Sequence, residues 1–322
     1  MKKNLTILLM LFSLFIVGCS SDDKSTDAKG DASDFPEKPI EMIIPYDPGG
    51  ATDRTARILA ESVSDFLPNN ESIVVENKEG GGSTVGLTSL YNSENDGYTI
   101  GLTMQTGVAV KPHTEDLDYE WDGFEEIMTL VQSPQLLVVS ADAPWDDFNE
   151  WLDYVKDNPG EFKYGHSGIG SIGHLAMEEL AKKEGLDIVG VPYEGGGSSR
   201  QALLSGETDG DIGSQADIDP KQNKVLVNLG KEIPGVDAPT LEDSGVDVGV
   251  VPWIGIIAPP ETDEERIQII HDAFKQAIED QETIDKLEEL YIAPYYNGPE
   301  DFKDIIQKRY DISGEIIEDL DM

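Results

Sequence analysis

The chain has very few basic residues for its length. Its 322 residues include 23 Lys and Arg against 64 Asp and Glu, which gives a net charge of −41. A surface of that sign repels nucleic acid and gains nothing from anionic lipids, so we exclude nucleic acid as a partner. The carboxylates are spread along the chain instead of being grouped at metal-ligand spacing. We therefore expect a solvated acidic surface and no metal site.

Cysteine is almost absent, since Cys19 is the only one. A chain with one cysteine has no internal disulfide, and this cysteine ends a segment typical of export signals. Lys2 and Lys3 precede an apolar run over 5–17, and 16–19 reads Ile-Val-Gly-Cys. This segment resembles the lipobox of bacterial lipoproteins, which predicts a signal peptide over 1–18 and a lipid on Cys19. The alternative is an uncleaved anchor helix with an incidental cysteine.

The predicted location is extracytoplasmic, on the outer face of the cytoplasmic membrane or in the periplasm. Residues 19–34 are rich in Ser, Asp, Lys, Gly and Ala and predict a flexible tether. A second long apolar segment is missing, so the sequence predicts no membrane span in the body.

The remaining chain is long enough for two domains with their own cores. Short apolar runs alternate with amphipathic stretches, which predicts an α/β fold with mostly parallel sheets and flanking helices. The predicted strands are 40–44, 72–76, 98–104, 135–140, 161–165, 188–192, 209–213, 224–229 and 253–258. The predicted helices are 54–66, 84–91, 144–156, 171–184, 199–204, 263–280, 281–290 and 299–318.

Three glycine turns occupy the same predicted context, between a strand and a helix. They are Pro48-Gly49-Gly50, Gly168-Ile169-Gly170-Ser171 and Gly195-Gly196-Gly197-Ser198. In open α/β sheets ligands bind outside the carboxyl ends of the strands, and helix N-termini favour anions. We expect these turns to be able to converge on one small anion.

Enzyme motifs are incomplete in this sequence. Residues 168–173 match G-x-G-x-x-G, but an exported protein has no evident nicotinamide supply, so we expect no cofactor. Residues 165–169 resemble a nucleophile elbow, although Ile169 stands where G-x-S-x-G requires glycine. His174 is predicted either to donate to a bound carboxylate or to stabilise its own helix end. The alternative function is therefore an exported serine hydrolase that uses Ser167 and His174. A surface adhesion module is a third class, and it would lack a small-molecule pocket.

Several motifs together resemble a known family from Phe35 to the C-terminus. They include Pro45-Tyr46-Asp47-Pro48-Gly49-Gly50-Ala51-Thr52-Asp53, Asp96-Gly97-Tyr98-Thr99 and Val191-Pro192-Tyr193-Glu194-Gly195-Gly196-Gly197. The chain is similar to the substrate-binding proteins of tripartite tricarboxylate transporters, the Bug family of extracytoplasmic solute receptors. The resemblance implies a two-lobed clamshell of the periplasmic-binding-protein type and a carboxylate ligand between the lobes. It does not say whether that ligand is a tricarboxylate, a dicarboxylate or an aromatic acid.

On this basis we expect lobe 1 to comprise 35–133 and 256–322, and lobe 2 to comprise 134–255. The chain is predicted to cross between the lobes near Ser133 and to return near Gly255. The expected partners are a small organic carboxylate, the permease subunits of a tripartite tricarboxylate-type transporter and, through Cys19, the membrane. We expect a monomer with no catalytic residues.

The resemblance implies that loops from opposite lobes hold the carboxylate with backbone N–H and hydroxyl groups. Val108-Ala109-Val110 departs from the Ser/Thr/His-rich segment of many members. Because the predicted turns contain no basic residue, we expect neutral donors at the proximal carboxylate, with Arg54, Arg57 and Arg200 contributing less. Asp53 is expected to order its loop. The candidate ligand-binding residues are Pro48, Gly49, Gly50, Thr52, Asp53, Gln105, Thr106, Ser167, Gly168, Gly170, Ser171, His174, Tyr193, Gly195 and Gly196.

Overall fold

A computed structural model describes residues 34–215, 218–246 and 252–319. The predicted signal peptide, the lipid on Cys19 and nearly all of the predicted tether lie outside these residues. Within the described ranges, no helix combines the length and the apolar character needed to cross a membrane.

The described strands form two sheets. The first has six strands in the order β11-β4-β10-β3-β1-β2. Its strands are β1 (Ile40–Ile44), β2 (Ile73–Asn77), β3 (Thr99–Met104), β4 (Glu125–Gln132), β10 (Trp253–Ala258) and β11 (Ala293–Asn297). The second has five strands in the order β7-β6-β8-β5-β9. These are β5 (Leu136–Ser140), β6 (Lys163–His166), β7 (Val189–Pro192), β8 (Gly210–Gly213) and β9 (Asn223–Asn228).

Helices flank both sheets. They are α1 (Ala51–Val63), α2 (Thr84–Tyr91), α3 (Lys111–Thr114), α4 (Phe148–Asp157), α5 (Ile172–Glu184), α6 (Gly196–Ser205), α7 (Glu264–Glu279), α8 (Gln281–Glu288) and α9 (Pro299–Asp319). The two sheets with their helices confirm the α/β class and the two-lobed clamshell.

The expectation of mostly parallel sheets is wrong, because both sheets are mixed. Strand β1 pairs in parallel with β2 and β3, and β6 does so with β7 and β8. The pairings of β4, β5, β9, β10 and β11 are antiparallel. Strands β4 and β11 were not predicted, and the direction in which a strand pairs cannot be seen in its own sequence.

Alternation within β1 explains why the first sheet has helices on both faces. Met42 and Ile44 belong to the core formed with α1 and α7, while Ile43 packs with α2 and with Phe302 of α9. Successive side chains of a strand point to opposite faces, so a continuous apolar run predicts a strand covered on both sides. The second sheet is built similarly, and the aromatic face of α4 lies in its core.

Two features connect the sheets. Strand β4 runs into β5 through residues 133–135, and the Ser133 N–H donates to the Pro252 carbonyl over 3.2 Å, where the chain approaches β10. On α9, Arg309 Nη1 lies 2.7 Å from Glu179 Oε2 of α5. The C-terminal helix therefore reaches from the first sheet to a helix of the second.

Candidate ligand-binding cleft

Two adjoining cavities lie at the carboxyl ends of parallel strands. One, of about 590 Å³, has walls from both halves of the molecule. The other, of about 420 Å³, lies among the loops that follow β1 and β2. Tyr46 and Gly82 line both cavities. This is the place in an α/β sheet where ligands are expected.

The first glycine turn follows β1 and brings the N-terminus of α1 to the smaller cavity. Gly50, Ala51 and Thr52 line that cavity. The N–H groups of the first helical turn have no acceptor within the helix, so they are available to an anion. Gly50 has an extended backbone and no capping side chain.

Asp53 orders this first turn. Its carboxylate accepts the Gly49 N–H at 2.9 Å, Arg57 Nε at 3.0 Å and Asn77 Nδ2 at 2.8 Å. Hydrogen bonding from Arg57 is the main reason that the pKa of Asp53 falls to about 2. The expected role of Asp53 in ordering its loop agrees with this geometry, and Asp53 itself does not line either cavity.

The second glycine turn follows β6 and brings the N-terminus of α5 to the larger cavity. Ser167 and Gly170 through Gly173 line it, together with the exposed side chain of Ile169. Ser171 is the N-cap of α5, and its hydroxyl accepts the His174 N–H at 3.4 Å. Gly170 has φ +74°, a conformation that glycine adopts without steric cost.

His174 stabilises the second turn through a hydrogen bond to its backbone. Its Nδ1 accepts the Gly170 N–H at 3.1 Å, so the ring proton is on Nε2, which lies 3.8 Å from Glu178 Oε1. The ring stacks on His166 with centroids 4.2 Å apart, and His166 Nδ1 donates to the Gly168 carbonyl at 2.8 Å.

Both rings are buried, and burial lowers their pKa values, that of His166 to about 4. Of the two roles left open for His174, the geometry supports the structural one. Nδ1 of His174 already accepts the Gly170 N–H, so this nitrogen is not free to take a proton from Ser167.

The third glycine turn does not reach either cavity. It follows β7, which is the edge strand outside β6 in the second sheet. Its residues Tyr193, Gly195 and Gly196 are absent from both linings. The turn follows the strand next to β6 and contributes no lining residue to these two cavities, so its convergence with the other two turns stays a prediction.

The remaining candidates divide in the same way. Thr106 lines the larger cavity, whereas Gln105 is fully buried beneath it. Val108 and Ala109 also pack inward, whereas Val110 lines the larger cavity, so this apolar departure from the family pattern contributes to both the core and the cavity wall. Of the fifteen candidates, those that line a cavity are Gly50, Thr52, Thr106, Ser167, Gly170 and Ser171; those that do not are Pro48, Gly49, Asp53, Gln105, Gly168, His174, Tyr193, Gly195 and Gly196.

Sequence reasoning missed several lining residues. The loop after β2 contributes Gly80, Gly82 and Ser83 to the smaller cavity, and its glycine run beside a predicted strand was an available signal. Ser83 has φ +96°, an uncommon backbone conformation for a residue with a side chain. The larger cavity also receives Met104, Lys111, Thr114, Glu115 and Gln135. Those residues follow no periodicity that marks a site.

Comparison with known proteins identifies the family. Residues 55–322 match the family described as the Tripartite tricarboxylate transporter family receptor, TctC. The chain belongs to this family. It is 31% identical over 307 residues to the UPF0065 protein in the gbd 5′ region of Cupriavidus necator, covering 91% of this chain and 90% of that protein.

Solved structures share the fold of this chain. A TctC solute-binding protein from Polaromonas, solved with no ligand, has 25% identity and a TM-score of 0.78, covering 88% of this chain and 99% of its own. MatC of Rhodopseudomonas palustris with bound malate has 23% identity, a TM-score of 0.67 and coverage of 88% and 100%. A second R. palustris protein with adipate has 22% identity, a TM-score of 0.70 and coverage of 88% and 98%.

The matched family is a family of receptors, and its Polaromonas member is a solute-binding protein. The chain is therefore a non-enzymatic receptor, and the alternative of a serine hydrolase using Ser167 and His174 is wrong.

Proposed function

We propose that this receptor captures a small carboxylate in the cleft and delivers it to the permease of a tripartite tricarboxylate-type transporter. One observation supports the site above all others. Two 13-residue helices, α1 and α5, present their N-termini to adjoining cavities. The ligand carboxylate accepts hydrogen bonds from Ile172 and Gly173 N–H and from the hydroxyls of Ser167 and Ser171.

Neutral donors are sufficient for such a site. Each hydrogen bond to a charged group contributes about 1.5–3 kcal/mol when water is excluded. The helix macrodipole adds a fixed positive potential that needs no counter-ion. In a protein with net charge −41, this local arrangement supplies attraction that the overall field does not.

The malate and adipate bound to the two R. palustris proteins support a carboxylate as the ligand class. Both are dicarboxylates, and each protein shares the fold with this chain. At 23% and 22% identity, the two proteins support the ligand class and say nothing about which residues of this cleft hold the ligand.

Capture proceeds by closure of the two lobes, predicted as 35–133 and 256–322 for lobe 1 and 134–255 for lobe 2. Because β10 pairs within the first sheet from Trp253 onwards, the return crossing lies just before that residue. The Ser133–Pro252 contact supports a hinge at the paired crossings, and Gln135, beside it, lines the larger cavity. Ile169 is 62% exposed at the cavity wall and loses water contact when the lobes approach. Ligand favours the closed state through contacts that exist only there.

Small-angle scattering tests closure. We expect the radius of gyration to fall on addition of an acid that binds by calorimetry. An unchanged scattering curve with a bound ligand would show a rigid, preformed pocket.

The receptor is extracytoplasmic and, we propose, anchored by lipid on Cys19 as a monomer. The signal-like segment before Cys19 supports this anchoring. Cys19→Ser should move the protein from the membrane to the soluble fraction. Unchanged membrane fractionation would contradict lipid anchoring.

A thermal-shift panel tests the ligand class. Tricarboxylates, dicarboxylates and aromatic acids are compared with the amides of the same acids as uncharged controls. At one hundred times the dissociation constant, a bound acid adds about 2.7 kcal/mol to the unfolding free energy. A rise in melting temperature with acids but not amides supports the proposal, and no rise with any acid contradicts it.

A further inference from the structure

The larger cavity contains one pair of opposite charges. Among its lining residues in the described chain, Lys111 and Glu115 are the charged ones, and their side chains lie 2.5 Å apart between Nζ and Oε1. The other lining side chains are apolar or neutral and polar. Lys111 is therefore the one cationic side chain among the described lining residues that a second anionic group of a ligand could reach.

Lys111 is held at the cavity by its surroundings. The π-helical turn Thr106–Val110 precedes it, and the Tyr119 hydroxyl anchors that turn by donating to the Gly107 carbonyl at 2.6 Å. A Cβ on Gly82 would lie 2.8 Å from Lys111 Cε and 3.2 Å from Nζ. Because Gly82 has no side chain, the Lys111 ammonium can lie next to its backbone.

The partner of Lys111 is easily exchanged. Glu115 is one helical turn further on, and the Lys111 and Glu115 side chains are 23% and 40% exposed. Ion pairs of this kind are weak, because solvent screens them and two flexible side chains must be ordered. A carboxylate enclosed with Lys111 in a drier, closed cleft interacts with it more strongly.

We propose that Lys111 receives the second carboxylate of a dicarboxylate whose first carboxylate lies at the N-terminus of α5. Glu115 is the counter-ion of Lys111 in the empty receptor and turns to solvent when ligand binds. This inference rests on the proposed function and adds that the receptor selects ligands with two anionic groups. Lys111 is then a specificity-determining residue, whereas the proximal carboxylate is held by neutral donors.

Chain-matched acids test this assignment. Succinate is compared with butyrate, and adipate with hexanoate, by calorimetric titration of the wild type and of Lys111→Gln. We expect Lys111→Gln to weaken dicarboxylate binding 10-fold or more and to leave monocarboxylate binding within 2-fold. Glu115→Gln should strengthen dicarboxylate binding several-fold, because it removes the competing anion.

Lys286→Gln is the matched control. Lys286 forms an ion pair of the same spacing with Glu282 at 3.0 Å on α8, outside both cavity linings. It should leave all affinities unchanged.

The possible failures are distinguishable. If the wild type binds acids but Lys111→Gln retains the preference for dicarboxylates, the role of Lys111 is overturned and the proposed function stands. Equal weakening of both acids of a pair also overturns it, because Lys111 would then act on the first carboxylate or on the fold. If the wild type binds no acid at all, both proposals fail.

Discussion

The first and second glycine turns share a supporting hydrogen bond but make it with different chemistry. In each, the glycine N–H just before the helix N-cap donates to the side chain four residues later. Gly49 donates to Asp53, and Gly170 donates to His174. Both acceptors are the third residue of their helix and both are buried.

The difference lies in charge. Asp53 is a carboxylate that needs Arg57 and Asn77 to satisfy its remaining oxygen positions. His174 is a neutral ring that needs only burial and the stacked ring of His166. The glycine turn between a strand and a helix can therefore be ordered by a carboxylate or by a neutral imidazole. In both cases the acceptor is the third residue of the helix.

The third turn shows what happens without that acceptor. Its equivalent residue is Ser198, whose hydroxyl instead donates to the Gly195 carbonyl at 2.9 Å. This turn also lies away from both cavities. The supporting bond thus occurs in the two turns that we propose to hold the ligand.

The largest expected effect on stability comes from removing the Asp53 carboxylate, which accepts the Gly49 N–H in the first turn. Asp53→Ala leaves the Gly49 N–H without its acceptor and Asn77 Nδ2 with only the Tyr46 carbonyl, and we expect a loss of about 2–3 kcal/mol in unfolding free energy. Urea denaturation at pH 7 measures it. Glu61→Ala is the control, because it removes an exposed carboxylate of the same helix and should change stability by less than about 0.5 kcal/mol. Equal losses in the two variants would refute the role of Asp53.

The next effect is the pH dependence of stability, which differs between Asp53 in the first turn and His166, the ring stacked on His174, in the second. The pKa of His166 is lowered from 6.5 to about 4, mainly by burial, so the unfolded chain binds a proton that the folded chain does not. The stabilisation is complete above pH 6.5 and is lost as the pH falls towards 4, by on the order of 2 kcal/mol. His166→Asn, which keeps a donor near the Gly168 carbonyl, should flatten this part of the stability profile. The stabilisation by Asp53, whose pKa is about 2, is present in full above about pH 4 and is lost only as the pH falls from there towards 2.

Stability profiles measured by chemical denaturation from pH 8 to pH 4 provide the readout. Identical slopes for the wild type and His166→Asn would contradict a neutral buried ring. Other carboxylates titrate at the lower end of this range, so the difference between the two profiles is the relevant quantity.

A smaller effect is expected from the cap of the second turn. Ser171→Ala removes the side-chain N-cap of α5 and should cost about 1 kcal/mol. Because Ser171 also lines the larger cavity, the same change should weaken carboxylate binding. Ser198→Ala in the third turn should leave affinity unchanged. Equal binding losses in the two variants would contradict the distinction between these turns.

The smallest effect concerns the first cap. Gly50 has φ −68° and ψ 172°, which any residue adopts, and an added Cβ would lie no closer than 3.4 Å to its nearest neighbour. Gly50→Ser should therefore raise thermal stability by a few tenths of a kcal/mol. Gly50→Val should instead weaken ligand binding, because the residue lines the smaller cavity. A clear destabilisation by serine would show that this turn requires glycine.

Local patterns in the sequence predicted much of this structure. The buried strand β1 was predicted over the residues that form it, and α2 likewise, because apolar spacing and flanking turns are local signals. Local signals did not predict strands β4 and β11, and they did not show that the third turn lines neither cavity. Strand order and pairing direction are set by contacts between distant residues, and they decided which glycine turns reach the cleft.

In the candidate site too, the features set by local sequence were predictable and those set by distant contacts were not. The start of α5 at Ser171 was predicted, whereas α1 begins at Ala51, three residues before the predicted start at 54. Lys111 follows a π-helical turn within an apolar segment and lies in the cleft because of the space beside Gly82. No spacing rule in the sequence anticipates such a contact between two loops.

The most direct test of the account is a backbone amide NMR titration with a dicarboxylate that binds by calorimetry. We predict that the N–H resonances of Ala51, Thr52, Ile172 and Gly173 shift, while those of Gly196 and Gly197 in the third turn remain in place. Shifts confined to the third turn, or saturating ligand binding without change at Ile172 and Gly173, would contradict capture of the carboxylate by the N-terminus of α5.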